Sequence, residues 1–262
     1  MKADLIRIGF FIFTAMKKDL FLFYTIGFSL FLGSCRIRDK QLPDPSLSNP
    51  AQVLFDNEIL EGQQLLKDGD LVLRNGNEFS SQLIKNFSKT DKTYSHAGLV
   101  FFENGYPLVY HILPGDQNPD EKLRKDSLKT FCNPRKNFGF ALYRYDLDSI
   151  QLARLKKTIH MWYQKGIKFD SLFNLESDDK MYCSEMIRKA LQIATDGSLV
   201  LNSTRPTKQE ADYYTNYLKL PASYIVRMNF IAIDNLFLHP KCRMIKRYEF
   251  DPQQALSGQQ RK

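Results

Sequence analysis

Histidine and cysteine are scarce in this chain, with four of each among 262 residues, so few positions can carry imidazole or thiol chemistry. None of them shows metal-ligand spacing. His239 and Cys242 form a His-x-x-Cys pair with no further ligands beside it, and no zinc site is expected. Long apolar runs are also lacking: Leu20–Leu32 has 13 residues, short of the roughly 20 that span a bilayer. There is no internal repeat and no nucleic-acid motif. The net charge of +8, with a pI of about 9.2, is scattered along the chain. That pattern fits a solvated basic surface, and no nucleic-acid partner is expected.

What is present is enough apolar and aromatic content, 43% and 13%, to bury one good core. Ahead of it, Lys17-Lys18, the apolar run and Leu32-Gly33-Ser34-Cys35 have the order of a secretory signal, for which Met16 is itself a suitable start. The last four residues resemble a bacterial lipobox, which implies cleavage before Cys35, lipidation of its thiol and a membrane-anchored lipoprotein of the bacterial cell envelope. Loss of residues 1–34 removes four basic and two acidic residues and lowers the net charge to +6. Residues 36–50, with three prolines, are expected to tether the domain (51–250), and 251–262 to form a disordered tail. Cys132, Cys183 and Cys242 remain. An odd thiol in an exported protein is intermolecular or reactive, and a Cys132–Cys242 disulfide would leave Cys183 free.

Along the domain, Gln52–Lys67 has the pattern of a helix closed by Gly69, and Asp70–Arg74 that of a strand. A helical patch is centred on Leu83-Ile84. Residues 97–102 and 107–112 are β-rich runs joined through Asn104-Gly105, a type I′ hairpin signal. Residues 114–136 are expected as a polar loop, 138–145 as a strand, and Asp148 or Ser149 as the cap of a helix ending near Gly166. Further strands are expected at 223–227, 229–233 and 243–250. This order predicts an α+β fold around an antiparallel sheet in one domain.

The chemistry concentrates in Tyr182-Cys183-Ser184-Glu185. Ile187, Ala190, Leu191 and Ala194 follow Cys183 at helical steps, which puts the thiol on the apolar face of a helix at its first turn. There the helix dipole and unpaired N–H groups favour thiolate. A thiol nucleophile needs a base. His160 sits mid-helix with no motif around it and is expected at the surface. His96 and His111 are different because the hairpin relates them. With Asn104-Gly105 as the turn, Glu103 faces Tyr106 and His111 faces Gly98. Both histidines then project from one face as diagonal neighbours, with room between them because Gly98 has no side chain. His96 is the candidate general base and His111 its orienter.

Gly69-Asp70-Leu71-Val72-Leu73-Arg74, Tyr94-Ser95-His96-Ala97-Gly98-Leu99-Val100, Gly166-Ile167-Lys168-Phe169-Asp170 and Tyr182-Cys183-Ser184-Glu185 occur in that order. Together they resemble the YiiX/YebB-like branch of permuted papain-like (NlpC-type) cysteine hydrolases, over about residues 69–195. The resemblance implies a circularly permuted papain-like fold with the histidine strand ahead of the cysteine helix. It also implies Cys183 as nucleophile, His96 as base, His111 at the third position, and Tyr182 and Asp170 in supporting or pocket roles. No metal or organic cofactor is required. The expected activity is hydrolysis of amide bonds by a monomer, with peptides of the cell wall as leading substrate. An acyltransferase or lipid hydrolase, and a non-catalytic envelope binding module, are the alternatives. The polar loops 114–136 and 196–216 are expected to wall the cleft. A long apolar groove would favour acyl chains and a polar cleft peptides.

Overall fold

The computed structural model describes residues 50–250. The signal segment, Cys35, the tether up to its last residue and the 251–262 tail lie outside the described residues. In chain order the elements are α1 (Pro50–Leu65), β1 (Leu71–Gly76), α2 (Phe79–Phe87), β2 (His96–Glu103), β3 (Tyr106–His111), β4 (Arg124–Ser127), α3 (Leu128–Phe131) and β5 (Asn137–Tyr145). They continue with α4 (Ser149–Lys165), β6 (Lys168–Phe169), β7 (Lys180–Met181), α5 (Cys183–Ala194), α6 (Lys208–Leu218), α7 (Ala222–Ile225), α8 (Ile233–Phe237) and β8 (Cys242–Glu249).

Six strands form one sheet in the order β4-β3-β2-β1-β5-β8, every neighbouring pair antiparallel. Side chains alternate between its faces. Leu71, Leu73, Ala97, Leu99, Phe101 and Tyr143 face a core shared with Leu155 and Ile159 of α4 and Ile187, Ala190 and Leu191 of α5. Val72, Val100, Val109, Phe140 and Leu142 face a second layer built from Phe55 and Ile59 of α1 and Leu128 and Phe131 of α3. The fold is α+β, a sheet covered by helices on both faces.

Local chemistry sets the turns. Asn104 and Gly105 have φ values of 50° and 83°, the conformation a type I′ turn demands, and the register runs from Glu103↔Tyr106 to Leu99↔Tyr110 as the turn dictates. Asp148 caps α4 by accepting from the Gln151 N–H at 2.8 Å, and Gly166 ends that helix at φ 70°.

Four expectations are corrected. The 223–227 and 229–233 segments are not strands. Pro221, with φ fixed near −62°, serves as the N-cap of α7, so the β-branched residues after it enter a helical turn. Beyond it only a single bridge, Thr204↔Phe230, is extended pairing before α8 starts. The 114–136 stretch carries β4 and α3 rather than loop alone. Cys132 and Cys242 are free thiols, and they pack against opposite faces of the sheet, which keeps them from pairing. His160 is half-buried against the Phe101 and Tyr110 rings rather than fully at the surface.

Candidate active site

Cys183 is the first residue of α5, whose buried face also carries Met186, Ile187, Ala190, Leu191 and Ala194. The helix start is clamped from several sides. Glu185 Oε2 accepts from the Tyr182 N–H at 3.2 Å, an interaction that satisfies a donor at the helix start. Tyr182 Oη accepts from the Ile231 N–H at 2.9 Å, and its ring stacks on Phe230 with centroids 4.9 Å apart. Ser184 Oγ donates to the Ile231 carbonyl at 2.6 Å. Asp170 accepts from the Leu172 N–H at 2.9 Å and from the Asn174 N–H. It closes the turn that carries Phe173, which packs on Tyr182 at 5.1 Å. These contacts place Tyr182 and, through Phe173, Asp170 against the turn that carries the thiol.

The histidines meet as the hairpin requires. His96 Nε2 lies 3.0 Å from His111 Nδ1, and both rings pack on Phe131, at 5.5 and 4.9 Å. Gly98 is what permits the approach. A Cβ there would stand 2.5 Å from Val109 Cγ1, 3.0 Å from the Tyr110 carbonyl oxygen and 3.3 Å from His111 Cβ.

Sequence reasoning missed the next member of the chain. His111 Nε2 lies 3.1 Å from Asp126 Oδ2, and Arg124 Nη2 donates to the other carboxylate oxygen at 2.8 Å. Burial pushes the Asp126 carboxyl up, but the hydrogen bonds from His111 and Arg124 outweigh it and hold the group below its ordinary value. An ionised Asp126 accepts from His111 Nε2–H. His111 Nδ1 then accepts from His96 Nε2–H, which leaves a lone pair on His96 Nδ1.

Burial dominates the ionisation of the pair. It drives His96 well below the usual histidine range, helped by Arg74 and His111, and holds His111 at about 4 against the pull of Asp126. Burial also raises the Cys183 thiol, opposed by the Ala97 and Ser184 N–H groups and the Arg74 charge. The Ala97 N–H is free for this because the β2–β3 ladder stops at Leu99↔Tyr110, two residues short of it. At neutral pH the resting site therefore holds a neutral thiol and a neutral imidazole, and no hydrogen bond links the two among the described residues.

Cys183 and His96 line the same cavity, of about 290 Å³. Arg74, a second residue that the sequence did not single out, lines it too, with Ser95 and Gln117. Most of the remaining wall is apolar: Leu83 and Ile84 from α2, Ile112, Leu113, Phe169, Phe173, Leu218 and Phe230. The expected polar walls are thus corrected. From 114–136 only Pro114 and Gln117 reach the cavity, and from 196–216 nothing does; Tyr217 and Leu218, just beyond, take that place.

A model of the permuted papain-like amidase family YaeF/YiiX (C92) matches residues 65–212, more than half of the chain. The chain belongs to this family. The crystal structure of the metalloprotein yiiX from Escherichia coli O157:H7 has the same fold, with a TM-score of 0.55 and 19% identity, over 70% of this chain and 98% of that one. No curated protein matches the sequence. The family is one of amidases, and the order of histidine strand before cysteine helix follows its permuted scaffold. The donor set here does not fit a metal: among the described residues no three or more His, Cys, Asp or Glu side chains are grouped to hold one. His96, His111 and Asp126 are instead strung in a line, with His96 Nε2 and both His111 nitrogens spent on neighbours.

Proposed function

We propose that the protein is a cysteine amidase that removes an apolar acyl group from an amine. Cys183 is the nucleophile, His96 the general base and acid, and His111 with Asp126 a positioning pair that fixes the His96 tautomer. The observation that carries this reading is the joint placement of Cys183 and the lone-pair-bearing His96 on one largely apolar cavity. When a carbonyl enters, His96 Nδ1 takes the thiol proton as the sulfur attacks, and the N–H groups at the helix start face the developing oxyanion. His96 protonates the departing nitrogen, the C–N bond breaks, and a thioester remains. Water, deprotonated by His96, then releases the carboxylic acid and restores the thiol.

The cavity's apolar wall supports an acyl chain over the cell-wall peptides that the sequence favoured. An exported lipoprotein anchored through Cys35 agrees with such a substrate, since acylated amines concentrate at membranes. The test is incubation of purified protein with N-lauroyl amides, phospholipids and muropeptides, with products identified by mass spectrometry. Release of lauric acid by wild type and none by Cys183→Ala is the expected result. Cleavage of muropeptides alone would restore the peptide reading, and equal labelling of wild type and Cys183→Ala by a thiol-directed electrophile above about pH 9 would remove the nucleophile assignment.

A further inference from the structure

Arg74 carries a charge that no carboxylate of the described residues pairs with. It is the cross-strand partner of His96 in the β1–β2 ladder, so the two side chains leave the same face of the sheet with Cβ atoms about 5 Å apart. Its Nη1 donates to the Phe131 carbonyl at 3.3 Å and its Nη2 reaches Gln117 Oε1 at 3.5 Å. The guanidinium carbon lies 5.2 Å from the Phe131 ring centroid. Its Nε is buried with no partner. Among the described residues no carboxylate pairs with it: nearby Asp126 is taken by His111 and Arg124, and Glu78 faces Lys136. A half-buried guanidinium with neutral partners only, on the wall of a reaction cavity, has its charge incompletely compensated until an anion joins it.

The position of that anion follows from the chemistry. His96 hands its proton to the leaving nitrogen, so the leaving amine lies against the imidazole, and the side chain next to that imidazole is Arg74. We infer that Arg74 binds an anionic group carried by the leaving amine, and that the substrate class is the N-acyl amino acid, with its acyl chain on the apolar wall and its carboxylate on Arg74. Gln117, held by Arg74 Nη2, lines the same subsite. This rests on the amidase reading above and specifies its substrate. In the reaction the acyl C–N bond breaks, the amino acid leaves with the His96 proton on its nitrogen, and water completes release of the acid. No other reactant is needed.

The experiment compares N-lauroylglycine with its neutral isostere N-lauroylglycinamide. A charge-assisted hydrogen bond to the carboxylate predicts a kcat/KM about 10- to 100-fold higher for the acid in wild type, and collapse of that ratio toward one in Arg74→Met. A wild-type ratio near one overturns the inference and leaves the amidase reading standing, and this comparison holds even if the variant fails to fold. Equal loss on both compounds in Arg74→Met, with Cys183 alkylation displaced to higher pH, also overturns it, because the charge then serves the thiolate. A higher rate on N-lauroyl phosphoethanolamine than on the glycine conjugate would replace carboxylate by phosphate. If wild type turns over neither lauroyl compound, the amidase reading fails by itself. Calorimetric titration of Cys183→Ala protein with the same pair then decides: tighter binding of the acid by at least about tenfold supports the Arg74 subsite, and equal or absent binding overturns it.

Discussion

Gly98→Ala tests whether strand spacing holds the histidine relay together. The added methyl would sit 2.5 Å from Val109 Cγ1 and 3.0 Å from the Tyr110 carbonyl oxygen, whereas non-bonded carbons prefer about 3.5–4.0 Å. Val109 is fully buried and β-branched, so it has little rotamer freedom with which to yield. β3 must therefore recede from β2 by about 1 Å near His111. Overpacking of this kind costs about 1–3 kcal/mol. For a domain of this size that is a fall in Tm of about 2–12 °C. His111 moves with its strand, and the 3.0 Å contact to His96 lengthens beyond hydrogen-bonding range. A misplacement of about 1 Å in a positioned group costs about 100-fold in rate. The expected result is a folded variant with lowered Tm and kcat reduced about 100-fold at little changed KM, measured by thermal denaturation and steady-state release of lauric acid. Unchanged Tm would refute the steric argument. A lowered Tm with wild-type kcat would refute the claim that His111 positions His96.

Replacing Asp126 by Asn keeps its shape but lets the side chain donate as well as accept, so the His111 tautomer is no longer imposed. A fall in kcat of about 10- to 100-fold with KM unchanged is expected, and unaltered kcat would reduce Asp126 to a structural role. Because burial raises the Cys183 thiol above its ordinary 9.0, alkylation by iodoacetamide should stay slow at neutral pH and climb only above about pH 9; a plateau near pH 5 would show a resting thiolate instead. Turnover should persist below pH 6.5, because His96 remains an acceptor well under the usual histidine value. His111, at about 4 in the folded chain against 6.5 in the unfolded one, leaves the unfolded state binding more protons between those values, so its contribution to stability is lost as pH falls through that window. The stability difference between wild type and His111→Gln, from urea denaturation, should shrink between pH 7 and pH 4, and a constant difference would refute it.

The parts of the site legible in the sequence were those fixed by local rules. Asn104-Gly105 pins the turn, the turn pins the register, and the register places His96 and His111 on one face. The spacing of Ile187, Ala190, Leu191 and Ala194 places Cys183 at the start of a helix for similarly local reasons. Asp126 was hidden because β4 is Arg124-Lys125-Asp126-Ser127, an edge strand with no apolar alternation that exists only by pairing with β3. Arg74 read as the end of a strand, since its significance depends on what it lacks in space. The 223–233 segment misled through its Ile and Val content, where Pro221 and tertiary packing on Tyr182 prevailed over strand propensity. The cleft's character was misjudged because loop composition does not say which residues turn inward, and the apolar wall comes from α2, the residues after β3, the 169–173 turn, Leu218 and Phe230.

The histidine at the third position changes how the proposed nucleophile is made. A carboxylate directly on His96 would stabilise imidazolium and favour a resting thiolate–imidazolium pair. With His111 interposed, the Asp126 charge is one ring further away, and Arg74, a cation, is next to His96 instead. Both effects, added to burial, keep His96 neutral, while burial outweighs the Arg74 charge and keeps the thiol protonated. Charge separation then costs too much until a carbonyl accepts the sulfur and the helix-start N–H groups meet the oxyanion. An anion on Arg74 would neutralise the charge that opposes imidazolium. On this argument the substrate's own anionic group raises the basicity of His96. The acidic limb of the pH profile should accordingly lie at higher pH with N-lauroylglycine than with N-lauroylglycinamide. Coincident limbs for the two substrates would break the link between Arg74 and His96, whatever their relative rates.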